Sequence, residues 1–538
     1  MSDSSLLSDL IHRAAQRDPS ASALTAGALS VSFEALQAQV SCLASGLVGL
    51  GLQRGERVAI YLDKCIETVV ASFGAPAAGG VFVPINPLLK PEQVGYVMRD
   101  CDVRVLVTSP ERLSLLDSVL RACTGLRCVV LTDDLAGAGS TDCRSAWPAG
   151  VARLSWAELL SAPRRIGHRV IDTDMAAILY TSGSTGRPKG VVLSHRNMVI
   201  GAKSVASYLD NRPGDTLLAA LPLSFDAGFS QLTTAFHVGA RVVLLNYLLP
   251  RDVLKALARE KVTGLTAVPP LYIQLSQLEW PAGVGEHLRY FANTGGHMPL
   301  ETLKLMRQRV PRAKPFLMYG LTEAFRSTYL PPEEVERRPD SIGMAVPNAE
   351  ILVLRPDGTE CGADEPGELV HRGALVGQGY WGDAEKTAER YKPLPVGVGG
   401  REAGLQLPEF AVYSGDTVRR DSEGFLYFIG RRDEMMKTSG YRVSPTEVEE
   451  ILYATQLVGE CVAFGVDNDR IGQAIQVIAT APDGSADVDV NSLLVECRQR
   501  MPAYMVPAGV QGVVGPLPRN PNGKIDRKML ATQWVDKQ

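Results

Sequence analysis

A run of eleven residues, YTSGSTGRPKG at residues 180–190, constrains the fold of this chain more than any other stretch. Its three glycines and four small hydroxyl residues stand between two apolar segments, residues 175–179 and 191–193. The flanking segments predict two strands with a loop between them. Glycine allows the loop backbone to take positive φ and to bring its N–H groups close to an anion. The run therefore predicts a phosphate-binding loop.

The main alternative for this run is the P-loop of nucleotide-binding proteins. A P-loop needs a lysine after its last glycine, followed by Ser or Thr and a helix. Here Lys189 precedes Gly190, and β-branched residues follow. A plain surface turn is the other alternative, but the ordered set of glycines, hydroxyl groups and one lysine argues against it. The residues expected to meet phosphate are Thr181, Ser182, Gly183, Ser184, Thr185, Gly186 and Lys189.

Length and composition exclude several classes of protein. The chain has 538 residues, enough for several domains, and a net charge of −4, which does not indicate nucleic-acid binding. Its nine cysteines are scattered, without CxxC pairs or histidine clusters at metal-ligand spacing. No apolar run approaches the ~18 residues of a membrane helix. We expect a cytoplasmic protein with reduced thiols and no membrane insertion.

Hydrophobic periodicity predicts an α/β fold of layered subdomains. Strand-like segments such as residues 58–62, 81–85 and 216–221 alternate with helical patterns, as in parallel α/β layers. Ser194 is placed to cap a helix that runs to Tyr208.

From residue 350 onward, short strands and turns predict a small β-rich unit. We place the main boundary at Asp433, which divides a large N-terminal domain (1–432) from a small, mobile C-terminal α+β domain (433–538). In the second domain, Ser444, Pro445 and Glu447 predict a helix start with a capping box.

Five segments in order resemble the AMP-forming carboxylate ligases, a family that includes acyl-CoA synthetases, adenylation domains of nonribosomal peptide synthetases and firefly-type luciferases. They are the glycine-rich run, MYGLTE at 318–323, YSGD at 413–416, GRRD at 430–433 and RNPNGKID at 519–526. The resemblance implies ATP and Mg²⁺ as cofactors, with CoA or the phosphopantetheine of a carrier protein as acceptor.

The resemblance also implies roles for single residues in ATP binding. Tyr319 stacks on adenine, Thr322 contacts the α-phosphate, and Glu323 helps to hold Mg²⁺, which proteins bind through one or two carboxylates. The paired glycines Gly295 and Gly296 precede this motif. Asp416 and Arg431 contact the ribose, since a carboxylate can accept two O–H donors.

The C-terminal domain carries the remaining catalytic expectations. Lys524 bridges the substrate carboxylate and the α-phosphate during adenylation. The small domain then rotates at the hinge Asp433 and presents a second face with Lys437, where Gly440 leaves room for a pantetheine arm. The acceptor is expected in trans because no carrier domain follows in this sequence.

The segment FDAG at 225–228 departs from the acyl-CoA synthetases and resembles amino-acid adenylation domains, in which the aspartate binds the substrate ammonium. Asp226 and Arg326 could bracket a zwitterion, which favours an amino acid or amino-bearing acid. Alternatively, Asp226 only caps a helix, and Arg326 pairs with a glutamate of residues 331–334. The expected acid pocket comprises Phe225, Asp226, Met318, Arg326 and Ser327.

Residues 319–330 and 338–343 are most similar to stand-alone ligases associated with bacterial exosortase A systems, and this resemblance implies a location in the bacterial cytoplasm. Three other functions stay open: a medium- or long-chain fatty acyl-CoA ligase, a luciferase-like oxidase and a non-catalytic ATP-binding regulator. The presence of Glu323, Gly440 and Lys524 together argues against the last of these.

Overall fold

The computed structural model describes residues 5–132, 147–181, 188–431, 434–438, 441–468, 471–521 and 523–535. These residues form an α/β fold with two large sheets and a third, smaller sheet near the C-terminus. The predicted fold class is confirmed. The predicted boundary at Asp433 lies outside the described residues.

Two lists give the element bounds. The strands are β1 Ser22–Ala26, β2 Leu29–Ser32, β3 Arg57–Tyr61, β4 Val81–Pro84, β5 Val103–Thr108, β6 Cys128–Leu131, β7 Ala152–Ser155, β8 Met175–Thr181, β9 Lys189–Ser194, β10 Thr216–Ala219, β11 Arg241–Leu244, β12 Gly264–Ala267, β13 Tyr290–Asn293, β14 Lys314–Tyr319, β15 Thr328–Leu330, β16 Ser341–Ala345, β17 Ala349–Leu354, β18 Gly367–Gly373, β19 Tyr391–Pro393, β20 Phe410–Arg420, β21 Leu426–Arg431, β22 Met436–Thr438, β23 Tyr441–Val443, β24 Cys461–Asn468, β25 Gly472–Ala479 and β26 Gly509–Gly512. The α-helices are α1 Asp9–Arg17, α2 Phe33–Gly49, α3 Ile66–Ala77, α4 Pro91–Asp100, α5 Pro110–Ser114, α6 Asp117–Leu120, α7 Trp156–Leu160, α8 His195–Tyr208, α9 Asp226–Val238, α10 Pro250–Arg259, α11 Pro269–Ser276, α12 Val284–His287, α13 Leu300–Arg309, α14 Ala384–Arg390, α15 Pro445–Ala454, α16 Val490–Arg500 and α17 Arg527–Val535.

The first sheet has the strand order β7-β6-β5-β3-β4-β8-β9. Its strands are parallel except for β9, which pairs antiparallel with β8. Tyr180 lies opposite Gly190 and Thr181 opposite Lys189 in this pair. The glycine-rich run therefore connects two adjacent antiparallel strands, as its apolar flanks predict.

The second sheet joins a parallel half to an antiparallel half. Strands β11, β10, β12, β13 and β14 are parallel, and β15 then turns the sheet into antiparallel pairs that end at β17. The small β-rich unit expected after residue 350 is therefore not a separate sheet. It extends the second sheet because β21 pairs with β16.

The main core lies between the two large sheets. Helices α2, α3, α8 and α9 fill this space, and their phenylalanines pack directly on one another. The ring centroids of Phe73 and Phe229 are 5.5 Å apart, and those of Phe82 and Phe229 are 4.7 Å apart. Burying a side chain of this size contributes roughly 1.5–3 kcal/mol, so this layer holds the two sheets together.

Two helix starts in the predicted elements differ from each other. Ser194 caps α8, and its side chain accepts from Asn197 N, as predicted. Helix α15 begins at Pro445 as predicted, but the Ser444 side chain makes no capping bond. Among the described residues the buried Ser444 Oγ has no hydrogen-bond partner. The predicted capping box at Ser444 is therefore wrong.

No helix in the described ranges has both the length and the apolar character needed to cross a bilayer.

Candidate active site

Asp226 stands at the first position of α9, where β10 and the following loop deliver it to a buried site. The residue is 8% exposed, although it is charged in its ordinary state. Thr322 Oγ1 donates to Asp226 Oδ1 at 3.3 Å, and Arg326 Nη1 lies 3.3 Å from Oδ2. Burial raises the pKa of this carboxyl, while Arg326 acts in the opposite direction. A positively charged substrate group would stabilise this carboxylate further.

Arg326 is almost completely buried beside Asp226, with 2% of its surface exposed. It follows Phe325, whose φ of 57° is uncommon for a residue with a bulky side chain. The Phe325 ring is held in the core against Gly201, where an added Cβ would approach the ring within 2.3 Å. The tertiary contacts of Phe325 thus hold a strained turn that directs Arg326 towards Asp226.

This placement corrects the predicted alternatives for Arg326. Arg326 does not pair with a glutamate of residues 331–334, because Glu334 instead contacts Arg337 and Arg338. Nor do Arg326 and Asp226 face the site as two separate charges, because their side chains form one ion pair. The interpretation of Asp226 as a mere cap is not supported either: α9 has Phe225 at its N-cap position, and no side-chain cap bond is formed there.

A small cavity of about 10 Å³ adjoins the ion pair. Its wall is partly polar, from Ser230, Gln231, Thr266 and Arg326, and partly apolar, from residues including Met318. Two buried polar atoms on these side chains, Arg326 Nε and Gln231 Oε1, have no partner among the described residues. A space of this size holds about one water molecule. The arrangement suits a polar group better than an alkyl chain.

The other two predicted pocket residues, Phe225 and Ser327, are not among the residues that line this cavity. Ser327 Oγ lies 2.9 Å from Nδ1 of the buried His371, and Ser327 is fully buried. Phe225 packs with Leu221, Ala227 and Val268. Ser327 is therefore not among the residues that line the cavity, whereas Met318 and Arg326 are.

The residues predicted to hold adenosine meet where β14, β20 and β21 bring them together. Tyr319 donates its hydroxyl to Asp416 Oδ2, and Asp416 is 7% exposed. Asp416 Oδ1 lies 3.6 Å from Arg431 Nε and accepts no hydrogen bond from the described residues. Burial raises the pKa of Asp416, while Arg431 opposes this shift. A ribose hydroxyl would satisfy the unpaired oxygen, so the site fits a nucleoside.

Glu323 has a partner that the sequence did not reveal. Tyr380 donates its hydroxyl to Glu323 Oε1 at 2.5 Å, and Gly377 N donates to the Glu323 carbonyl at 2.8 Å. Lys189 Nζ lies 5.4 Å from the centre of the Tyr380 ring. Only the tertiary structure brings these segments together. The sequence signal that could have drawn attention to Tyr380 is the aromatic pair Tyr380 and Trp381 after Gly379.

Lys524 reaches the same cleft from the C-terminal part of the chain. The tight turn before it has Gly523 at φ 81°, and its backbone is held by Asn86, which donates to the Pro521 carbonyl at 2.6 Å. A Cβ on Gly295, which has φ 78°, would lie 3.2 Å from Lys524 Cε. Although Lys524 keeps an exposed surface in the cleft, the surrounding walls lower its pKa by desolvation, and Asp226 opposes that shift.

The structure thus brings together Asp226, Thr322, Arg326 and Lys524 on one side and Tyr319, Asp416 and Arg431 on the other. Lys189 lies over the ring of Tyr380, whose hydroxyl contacts Glu323, and Thr181 is paired with Lys189 across β8 and β9. Gly296 contacts Pro269 and stands next to Gly295. The remaining predicted residues lie outside the described part of the chain: Ser182, Gly183, Ser184, Thr185, Gly186, Asp433 and Gly440, together with the Lys437 side chain.

These residues fit MgATP by their chemistry. The unpaired Asp416 oxygen suits a ribose hydroxyl, Lys189 and Lys524 supply positive charge for phosphates, and Glu323 offers the carboxylate that Mg²⁺ requires. Fold and site together point to an enzyme that uses a nucleotide.

Family comparisons agree with this class. The AMP-binding enzyme family matches residues 11–381, and the AMP-binding enzyme C-terminal domain matches residues 447–524. The chain belongs to the AMP-binding enzyme family and is an AMP-forming acid–thiol ligase.

Related sequences include ligases for different acids. The chain is 30% identical over 514 residues to a long-chain-fatty-acid–CoA ligase of Yersinia pestis, covering 90% of this chain and 87% of the relative. It is 29% identical to an L-proline–[L-prolyl-carrier protein] ligase of Pseudomonas fluorescens, covering 94% of each. It also matches tyrocidine synthase 3 of Brevibacillus parabrevis at 28% identity over 97% of this chain, but spans only 8% of that protein.

Solved structures share the fold over nearly the whole chain. An anthranilate CoA ligase bound to anthranoyl-AMP has a TM-score of 0.86 at 24% identity and covers 99% of this chain and 98% of its own. An O-succinylbenzoate CoA synthetase of Bacillus subtilis in complex with ATP and magnesium has a TM-score of 0.78 at 25% identity, covering 97% and 99%. ATP is a cofactor of this enzyme class, and Mg²⁺ accompanies it.

Proposed function

We propose that this enzyme adenylates an amino acid or a small amino-bearing acid and transfers the acyl group to a phosphopantetheine thiol supplied by a separate molecule. One observation carries the proposal: Asp226 and Arg326 form a buried ion pair, and Arg326 lies in the wall of a partly polar cavity. A long alkyl chain would place apolar atoms beside the polar side chains of Ser230, Gln231 and Arg326. It would also have to lie against a buried charge, which is costly.

The ion pair itself favours a zwitterionic substrate. Thr322, which contacts Asp226 Oδ1, is the residue expected beside the α-phosphate. An acid that reacts there carries its α-ammonium close to Asp226. Arg326 keeps its contact with Asp226 Oδ2, and its unpaired Nε takes an acceptor from the substrate side chain. The pair therefore does not have to separate for the substrate to bind.

The proposed first half-reaction follows from the charges in the cleft. A carboxylate oxygen attacks the α-phosphorus, the bond to the pyrophosphate oxygen breaks, and an acyl-adenylate forms. Lys524 screens the repulsion between the carboxylate and the phosphates. Glu323 would hold Mg²⁺, which supplies positive charge to the phosphates. The glycine-rich run would bind the leaving pyrophosphate. No side chain has to act as a nucleophile.

The proposed second half-reaction joins the acyl group to sulfur. The thiol loses its proton to solvent, its sulfur attacks the acyl carbon, and the bond to the AMP oxygen breaks. The names of the relatives cover both acceptor types, CoA for the Yersinia ligase and a carrier protein for the Pseudomonas ligase. In the present chain we assign the pantetheine side of the site to Lys437 and Gly440, which a rotation at Asp433 would bring to the cleft.

Pyrophosphate exchange tests the proposed substrate class. The purified chain with MgATP is offered each amino acid beside its deaminated analogue, and a series of fatty acids. We expect Asp226→Asn to abolish the preference for the amino-bearing member of each pair, and Arg326→Gln to weaken acids with polar side chains selectively. Removing one partner of a buried ion pair costs about 3–5 kcal/mol, so thermal unfolding is measured alongside.

A second ion pair, in which the carboxylate is buried and the arginine is partly exposed, provides the control. Asp215 and Arg289 form a 2.6 Å contact, and neither residue is among those that line the cavity beside Asp226. Asp215→Asn should lower stability without changing the acid preference. If the Asp226→Asn variant kept wild-type activity on fatty acids, the proposal would be rejected. That result would favour the second candidate, a fatty acyl-CoA ligase, which the 30% identity to the Yersinia enzyme supports. The similarity to exosortase-associated ligases and the bacterial cytoplasmic setting stay predictions.

A further inference from the structure

Tyr380 connects two parts of the site that the sequence motifs treat separately. Its hydroxyl donates to Glu323 Oε1 at 2.5 Å, and its ring lies 5.4 Å from Lys189 Nζ. Tyr380 is 8% exposed, so its ring has little freedom to move. One side chain therefore contacts both the carboxylate expected at Mg²⁺ and the lysine expected at the phosphates.

The backbone around Tyr380 is fixed to the strand that follows the glycine-rich run. Tyr380 bridges to Val191, Trp381 N donates to Gly190 O at 2.7 Å, and Val192 N donates to Gly379 O at 2.9 Å. The other side of Tyr380 is tied to α14, because Tyr380 N donates to Thr387 Oγ1 at 2.9 Å. These bonds place the phenol before any ligand binds.

We propose that Tyr380 is a positioning residue for MgATP: its hydroxyl orients the Glu323 carboxylate towards the metal, and its ring supports Lys189 towards the phosphates. The hydroxyl contacts Oε1, and among the described residues no donor reaches Oε2, which stays available to a cation. A cation over a phenol face is attracted by the ring quadrupole.

Binding experiments without any acid test this role separately from the proposed substrate. Calorimetric titration measures the affinity of the full chain for ATP, with Mg²⁺ and with the metal chelated. Tyr380→Phe keeps the ring and removes only the hydroxyl. We expect it to weaken MgATP binding about 10-fold, as for a lost hydrogen bond to a charged group, while metal-free ATP binds as in the wild type. Tyr380→Leu removes the ring as well and should weaken both forms of ATP.

Tyr391 supplies a matched control in the same aromatic pair. Its ring stands edge-on to Tyr380 with centroids 5.9 Å apart, and its hydroxyl donates to the Glu323 carbonyl at 3.4 Å, not to the Glu323 carboxylate. Tyr391→Phe should leave the metal dependence of ATP binding unchanged. Wild-type MgATP affinity in Tyr380→Phe would overturn the proposal. The same would follow if Tyr391→Phe reproduced its loss, since the effect would then be one of general packing.

Discussion

At the scale of single residues, two histidines are buried in a neutral form. His195 is 1% exposed at the start of α8, and its Nδ1 accepts from Leu7 N at 3.0 Å, which attaches the N-terminal segment to the core. Burial lowers the pKa of His195 to about 4. His371 is fully buried behind Ser327, and burial lowers its pKa to about 3.

These pKa values predict a loss of stability in acid. Below the ordinary histidine pKa of about 6.5, the unfolded chain binds protons that the folded chain excludes, so stability falls as the pH drops towards 4. For His195 the loss amounts to about 3 kcal/mol by pH 4, because one pKa unit corresponds to about 1.4 kcal/mol. Thermal unfolding midpoints measured between about pH 7 and pH 4.5 should therefore decline.

Substitution of His195 measures how much of this decline in stability its buried ring causes. His195→Gln should flatten the pH dependence, although it lowers stability at neutral pH. His12 is exposed and serves as the control, since His12→Gln should leave the slope unchanged. An unchanged slope in His195→Gln would show that other groups cause the acid sensitivity.

At the scale of elements, two helix starts with similar sequences differ in their contacts. Ser194 accepts from Asn197 N at 3.2 Å and donates to Asn197 Oδ1 at 2.8 Å, so both residues of the capping box are used. Ser444 precedes Pro445, has extended backbone angles, and makes no such bond. A serine stands before the first helical residue in both cases, but only Ser194 caps its helix through its side chain.

Alanine substitutions should separate the two serines. Ser194→Ala should cost about 1 kcal/mol or somewhat more, because it removes a formed cap and leaves a buried N–H without its acceptor. Ser444→Ala should be close to neutral, since it removes a buried hydroxyl without a partner among the described residues. Denaturant unfolding followed by circular dichroism measures both. Equal losses in the two variants would contradict the assigned contacts.

At the scale of the whole molecule, the C-terminal part lies across the cleft through several separate contacts. Glu450 of α15 accepts from Leu300 N at 2.9 Å and contacts His297 Nε2 at 2.8 Å. The turn that carries Lys524 is held by Asn86. This arrangement presents Lys524 at the cleft, which is the placement that the proposed adenylation step needs.

Lys524→Ala should therefore impair only one half-reaction. We expect pyrophosphate exchange to fall more than ~10²-fold, as for loss of a group that stabilises transition-state charge. Conversion of a supplied acyl-adenylate to thioester should persist. Product analysis by mass spectrometry measures the second step independently of the first.

A variant of the docking contact serves as the companion test. Glu450→Gln weakens the contact with His297 without touching Lys524, so it should reduce pyrophosphate exchange by less than about ten-fold and spare the thioester step. Gly440→Leu should have the opposite selectivity; this residue lies outside the described part of the chain and its role stays a sequence-based prediction. If Lys524→Ala slowed both half-reactions equally, the expectation that the C-terminal domain presents Lys524 in the first step and Lys437 in the second would be wrong for this chain.

The sequence by itself determined the local elements and the chemistry of the motifs. The βα alternation, the strand–loop–strand of the glycine-rich run and the helix from Ser194 follow from side-chain periodicity and glycine content, which act over a few residues. The order of five motifs was enough to predict the family. Short-range physics and a recognisable pattern therefore cover most of the fold and the family, while the roles of the nucleotide-site residues stay predictions.

Only the tertiary structure decided which side chains meet. The pairing of Asp226 with Arg326, the contact of Ser327 with His371 and the bond from Tyr380 to Glu323 join residues 44 to 100 positions apart. Each contact depends on how strands and helices pack. The placement of Arg326 also depends on a strained turn at Phe325 that the core holds in place. Sequence periodicity carries no information on such contacts, because the free energy that selects them comes from burial across the whole fold.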